Sequence, residues 1–270
     1  MKLYQVDAFT TIAFRGNPAA VCLLDAPRPD AWMQALAAEM NLSETAFLQR
    51  EGERWRLRWF TPVTEVSLCG HATLASAHAL WAEGYVPTDQ VIAFDTLSGQ
   101  LLARWRDGWI ELDFPARQLT PAVEDPGMAT ALGFKAVGLY VAQRQSGPLY
   151  LVEVDDAEMV RLAQPDNAAL MALGVRAAIL TALAGPAPDD VPAHDFCSRF
   201  FAPGMGIPED PVTGSAHCYL APFWGERLGK FDLVGYQASA RGGVVRCAWR
   251  GERVLLSGQA VTVLRGELLP

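Results

Sequence analysis

Near the start of the chain, apolar and polar positions alternate over residues 3–9 and 19–24, with the turn residues Arg15-Gly16-Asn17-Pro18 between them. Alternation bounded by turn chemistry predicts two strands. From Asp30 the period changes to that of a helix: Trp32, Leu36 and Met40 share a face, Asp30 offers an N-terminal cap and Asn41 a C-terminal stop. Strand patterns return at 45–49, 55–60 and 65–68. Residues 71–81 are then Ala-rich and apolar almost all round, ending at Gly84. A helix of that kind is enclosed by other structure rather than laid on a surface. Alternation at 91–94, 100–105 and 109–114 completes a unit of many strands and two helices.

The remainder repeats the plan, with strands near 137–142 and 149–154 and helical stretches near 157–163 and 168–173. Phe60-Thr61-Pro62 leads to Gly70 and a small-residue helix reaching Trp81; Phe201-Ala202-Pro203 leads to Gly214-Ser215-Ala216-His217 and on to Trp224. Internal duplication explains the echo economically. The expected domains are residues 1–117 and 118–270, with the boundary in 115–127 and with the final strand able to return to the first half. A helix that is apolar on every side needs a wall on every side, and strands that outnumber helices supply it by curling round it. The expected class is α+β, two pseudo-equivalent halves, each a curved, mostly antiparallel sheet around a central helix.

Composition narrows the function. With 270 residues, 51% hydrophobic and 19% charged, the chain has room for a core and no bias toward disorder. A net charge of −8 and scattered Lys and Arg argue against a nucleic-acid partner. A small anionic ligand gets no help from that overall charge and must be caught by local dipoles. No apolar run approaches the roughly 18 residues of a membrane span, and the N-terminal residues lack the apolar stretch of a signal peptide, so a cytoplasmic location without membrane association is expected. The five cysteines are odd in number and without a CxxC pair, which fits reduced thiols and neither a disulfide frame nor a zinc site.

Candidate chemistry gathers at the two helix starts. Gly70-His71-Ala72 and Gly214-Ser215-Ala216 present free backbone N–H groups and the positive end of a helix dipole, which suit a carboxylate; either glycine alone reads equally well as a turn residue. His71, on the first turn of a buried helix, feels a dipole that favours the neutral imidazole, so it can donate or accept a proton, or simply fill space. His78 lies two turns deeper and reads as structural, and linear spacing offers these histidines no Cys or carboxylate partners for a metal. Asp210, just before the second helix, can orient a substrate group or the imidazole of His71; Glu209 beside it reads as a solvated charge. Ser215 can bind substrate, cap its helix, or both. Glu44 sits at a helix-to-strand junction, and pattern alone does not single it out from the other acids.

Four ordered motifs change that. Val6-Asp7-Ala8-Phe9 with Gly16-Asn17-Pro18-Ala19-Ala20-Val21, Asn41-Leu42-Ser43-Glu44-Thr45-Ala46-Phe47, Phe60-Thr61-Pro62 with Glu65-Val66 and Cys69-Gly70-His71-Ala72-Thr73-Leu74-Ala75, and Glu209-Asp210-Pro211-Val212-Thr213-Gly214-Ser215-Ala216 together resemble the PhzF-like family, relatives of diaminopimelate epimerase, nearly end to end. The resemblance implies a diaminopimelate epimerase-like fold, a site between the halves, a homodimer, and neither metal nor organic cofactor. It also implies that Glu44 is the proton shuttle and that His71, Asp210, Gly70, Gly214 and Ser215 line the site. The epimerase relatives use two opposed cysteines; here Cys69 stands at the first helix start but no thiol stands at the second, so two-thiol racemisation is not expected and Cys69 is read as structural.

The implied activity is an isomerase that relocates a proton on a small carboxylate metabolite, as the phenazine enzymes do on a dihydro-hydroxyanthranilate. A free Glu has a pKa of about 4.3, so acid/base work near neutrality implies a rise toward about 6 to 7 by desolvation. Two alternatives stay open: a one-base epimerase or racemase of an amino or hydroxy acid, and a catalytically silent metabolite-binding protein. Substrate identity is not legible in the residues.

Overall fold

A computed structural model of the chain describes residues 1–123, 126–144 and 147–269. It divides into two compact units, residues 1–114 with 255–270 and residues 115–254.

In the first unit, β1 (Lys2–Ala8) pairs antiparallel with both β2 (Asn17–Leu24) and the last strand of the chain, Ala260–Glu267. Helix α1 (Asp30–Met40) then crosses over, so that β3 (Glu44–Glu51) lies parallel to β2, as a strand–helix–strand connection requires. β4 (Arg54–Phe60) returns antiparallel to β3, and the short β5 (Glu65–Val66) folds back on β4. Helix α2 (Gly70–Ala82) makes the second crossover, and β6 (Ile92–Thr96) joins β4 in parallel. β7 (Gly99–Arg106) and β8 (Trp109–Pro115) add antiparallel strands.

The central helix is α2, packed against β1, β2, β3 and the last strand. His71 to Ala77 and Ala79 to Trp81 are all buried, as the absence of a polar face predicts. Each of Leu74, Leu80 and Trp81 contributes about 1.5–3 kcal/mol of transfer free energy by leaving water. Helix α1 lies outside, burying Met33 and Ala37 most fully while Trp32, Leu36 and Met40 pack at the edge of the same cluster. Asn41 ends it with a left-handed residue, φ 51°. Asp30 does not cap it: Pro29 holds the cap position, and Asp30 sits in the first turn with its carboxylate 2.7 Å from Arg58.

The second unit repeats this order. β9 (Thr120–Pro121), β10 (Gly138–Ala142) and β11 (Leu149–Glu153) are antiparallel neighbours, with α3 (Pro126–Leu132) inserted between the first two. α4 (Ala157–Leu162) and α5 (Asn167–Ala172) stand where α1 stood, and β12 (Ala177–Leu183) accordingly lies parallel to β11. β13 (Phe196–Ala202) pairs antiparallel with β12 and with the short β14 (Ile207–Asp210). α6 (Gly214–Leu228) is the second central helix, buried from Ala216 to Gly225, and β15 (Asp232–Gln237) after it lies parallel to β13. β16 (Gly243–Arg250) is antiparallel to β15. The chain leaves the unit within β17 (Arg253–Gly258) and ends in β18, the strand Ala260–Glu267 already described.

The duplication extends to side chains. Arg58 on β4 makes a two-pronged ion pair to Glu65 on β5, both bonds 2.7 Å. Arg199 on β13 does the same to Glu209 on β14, at 2.7 and 2.8 Å. Each guanidinium also covers the Phe two residues on, Phe60 and Phe201. Glu209 is therefore a structural partner and not the solvated charge its sequence neighbourhood suggests. The fold is α+β, and each unit is a curved, mostly antiparallel sheet around one helix.

Candidate active site

The sheet register assembles the first cluster. Parallel pairing sets Glu44, the first residue of β3, beside Ala19 of β2. Asn17 begins β2 two positions earlier, and side chains two apart share a face of a strand. Gly16, at φ +64°, allows the turn that delivers Asn17: a Cβ there would collide with the carbonyl oxygen of Ala8. Asp7, fully buried, accepts the backbone N–H of Phe14 at 2.7 Å and ties the same loop down. α2 then brings Cys69, its N-cap residue, and His71, in its first turn, against these strands.

The result is three groups, from Glu44, Asn17 and Cys69, set around one imidazole. His71 Nε2 lies 3.2 Å from Glu44 Oε2. On the opposite edge, Nδ1 lies 3.2 Å from the Asn17 amide nitrogen and 3.5 Å from Cys69 Sγ. The carboxyl side chain of Glu44 is 14% exposed and the imidazole 6%, so the pair is largely shielded from bulk water. The Nε2–Oε2 contact stands at ion-pair distance rather than as a formed hydrogen bond. Burial pushes the His71 pKa down from 6.5 to about 3, so the ring is neutral at pH 7. His78, deeper in the helix, contacts Thr262 at 3.0 Å and stays outside the cluster.

Sequence spacing offered His71 no metal partners, but the fold supplies a carboxylate and a thiol: Glu44, Cys69 and His71 bring donor atoms within 4.8 Å of one another. The thiol faces Nδ1 and the carboxyl faces Nε2. An ion on either nitrogen is directed away from the third donor, so the trio as arranged does not close around one tetrahedral ion.

In the second unit, Thr213 is the N-cap residue of α6. Its hydroxyl donates to Asp210 Oδ2 at 2.6 Å, and its backbone N–H donates to Gln237 Oε1 at 2.8 Å. Gln237 Nε2 in turn donates to the Asp210 carbonyl at 2.7 Å. Asp210 thus holds the helix start in place. Ser215 is the second residue of the helix and exposed, so it does not cap α6. Gly214 is buried and Gly70 partly so. The first N–H groups of a helix have no partner in its i→i−4 ladder, although at α6 the Ala216 N–H donates to the Thr213 carbonyl at 3.2 Å.

A family model described as "Phenazine biosynthesis-like protein" matches residues 6–266. That is nearly the whole chain. The chain belongs to the phenazine biosynthesis-like (PhzC-PhzF) family. An "uncharacterized isomerase" of Halalkalibacterium halodurans is 48% identical, with 99% of this chain and 98% of that protein covered. The crystal structure of a PhzF-family protein from Enterococcus faecalis matches with a TM-score of 0.91 at 40% identity, covering 100% of this chain and 99% of that one. A predicted epimerase from Pseudomonas aeruginosa matches at TM-score 0.76 and 23% identity, over 100% and 99% of the two chains, a likeness of fold alone. The chain is an isomerase-type enzyme of the PhzF-like group, with the diaminopimelate epimerase-like fold. Among the described residues no helix is long and apolar enough to cross a membrane.

Sequence reasoning missed Asn17 and gave Cys69 only a packing role. The one available signal was that both fall inside the family motifs.

Proposed function

We propose that this enzyme relocates a proton within a small carboxylate metabolite, with Glu44 as the single general acid/base. The observation that carries the reading is a largely buried carboxyl group set against a neutral imidazole at the start of a central helix. The carboxylate removes a proton from a carbon acidified by the substrate's own unsaturation, then returns it to another carbon of the same molecule. Atoms and electrons balance within the substrate, so the step needs no redox partner or organic cofactor. His71, neutral and an N–H donor, steadies the carboxylate between the two transfers. A substrate carboxylate docks on the N–H groups of Gly70 and His71, where the dipole of α2 favours negative charge. Asp210 is proposed as a catalytic residue that orients a reacting substrate group, and Gly214 and Ser215 as substrate-binding groups, with a raised KM rather than a lowered kcat expected for Ser215→Ala.

Candidate unsaturated and hydroxy acids incubated in deuterated water test the reaction. The expected product carries solvent deuterium and a displaced double bond, and Glu44→Gln yields neither. Undiminished turnover in Glu44→Gln overturns the assignment. Inversion at a stereocentre with no double-bond shift, seen by chiral chromatography, selects the one-base epimerase instead, and tight metabolite binding without conversion selects a silent binding protein. On the family resemblance we also propose a homodimer, which a monomeric mass by light scattering refutes.

A further inference from the structure

We propose that Asn17 is a positioning residue that fixes the tautomer of His71, so that the ring's one proton sits on Nε2, facing the Glu44 carboxyl. The role rests on the acid/base reading of Glu44 given above. Asn17 is fully buried, and its amide nitrogen lies 3.2 Å from His71 Nδ1. An amide NH2 only donates, so Nδ1 must be the acceptor. A neutral imidazole carries a single N–H, and with Nδ1 unprotonated that N–H is on Nε2, 3.2 Å from Glu44 Oε2. The opposite tautomer would leave an Nε2 lone pair instead of an N–H nearest the carboxyl oxygen at that distance, which favours the protonated form of Glu44. Asn17 therefore biases the resting site toward an ionised Glu44, the form that begins the reaction by taking a proton. The Cys69 thiol at 3.5 Å from Nδ1 is a second possible donor to the same nitrogen and reinforces the choice.

The chain contains its own control. His217 on α6 lies with Nδ1 2.8 Å from the Thr213 carbonyl, and a carbonyl only accepts. His217 must carry its proton on Nδ1, the reverse of His71.

Long-range proton–nitrogen correlation spectra of the full chain, labelled with 15N-histidine and recorded at pH 7 without substrate, read both rings directly. The four histidines are assigned with His71→Gln and His217→Gln. Expected is a protonated Nε2 for His71 and a protonated Nδ1 for His217. In Asn17→Asp a carboxylate replaces the donor, so the His71 ring gains a proton on Nδ1 and its titration rises by at least about one pH unit. An unchanged signal from His78, on the same helix as His71 and in contact with Thr262, reports that the first unit of the variant is folded. A wild-type His71 protonated on Nδ1, or an Asn17→Asp ring pattern identical to wild type, overturns the proposal. So does an Asn17→Leu enzyme that keeps wild-type kcat on the substrate found in the deuterium screen. The spectra do not depend on turnover: active Glu44→Gln alongside the expected ring pattern defeats the base assignment and leaves the tautomer lock standing, whereas inactive Glu44→Gln with the reverse tautomer does the opposite.

Discussion

The two central helices begin alike and are furnished differently. Each is entered after an Arg–Glu clamp and an N-cap residue that hands over to glycine, Cys69-Gly70 in one unit and Thr213-Gly214 in the other. Even the first-turn braces correspond. Thr73 donates its hydroxyl to the Cys69 carbonyl, and His217, at the matching position, bonds the Thr213 carbonyl. Around Thr213 the polar groups bond to one another, linking Asp210, Gln237 and the helix start. Around His71 they instead surround one titratable ring. If Phe60 and Phe201 are matched, their cross-strand partners Thr45 and Ala178 are matched too, and the counterpart of Glu44 is Ala177. Duplication has kept the scaffold in both units, while the carboxyl–imidazole pair of Glu44 and His71 stands in the first.

The largest effect that can break this contrast lies in the side chains that differ. Glu44→Gln is expected to lower turnover about 10³-fold, within the range for loss of a general acid/base. Ser215→Ala, at the corresponding helix start, should change kcat less than about threefold, a spread set by a lost neutral contact rather than a lost proton carrier. Steady-state kinetics on the substrate identified in deuterated water decide it. Comparable losses at both positions would mean that the second helix start also takes part in the chemistry.

Much of the scaffold was legible because it depends on local rules. Residues 71–81 have no polar face, and a helix of that composition has nowhere stable except inside. The Phe60 and Phe201 segments repeat because each leads through a short strand to a buried helix begun by glycine. Asn41 marked a helix end because few other residues adopt the left-handed conformation cheaply. The candidate site was far less legible. Asn17, Glu44 and His71 are distant in sequence and meet only through the parallel β2–β3 register and the packing of α2. No periodicity carries that information, and Glu44 was reached through family motifs. Asp30 and Ser215 were each open to a capping role, and both sit in the first turn instead because Pro29 and Thr213 occupy the cap positions.

The clamps sharpen the equivalence. Arg199, 12% exposed, also donates to the Ala163 carbonyl at 2.6 Å, whereas Arg58, 18% exposed, makes its extra bond to the exposed Asp30. Removing one partner of a largely buried pair strands the other, so Arg199→Ala should cost about 3 kcal/mol and Arg58→Ala somewhat less. Urea unfolding measures both. A cost near zero at either position would show that the repeated geometry does not contribute to holding its unit.

Acid should strain the two units alike through their buried histidines. Burial lowers His71 to about 3, and it lowers His217 to about 4 against the opposing carbonyl contact. The unfolded chain binds a proton at each near 6.5 while the folded chain does not. The stability these neutral rings permit is thus complete above pH 6.5 and is lost as pH falls toward the folded values. At pH 5 each site should have cost about 2 kcal/mol relative to pH 8. His71→Gln and His217→Gln, unfolded in urea across that range, should each flatten the slope by one site. An unaltered slope in either variant would place that ring in water.

The smallest effect tests how each central helix is stopped. Gly84, just past α2, has φ +75°, and Gly229, the C-cap of α6, has φ +62°. A Cβ added at either would meet no atom within 4 Å. Substitution by alanine therefore adds no collision and leaves only the cost of a left-handed L-residue, about 1 kcal/mol, partly offset by the lower entropy of the unfolded chain. Gly84→Ala and Gly229→Ala should lower the urea midpoint by similar amounts with an unchanged slope. Asparagine at the same positions should cost less, since its side chain tolerates that conformation. A clearly larger loss at one glycine would reveal a helix end bearing some further constraint, and the two stops would then not be equivalent.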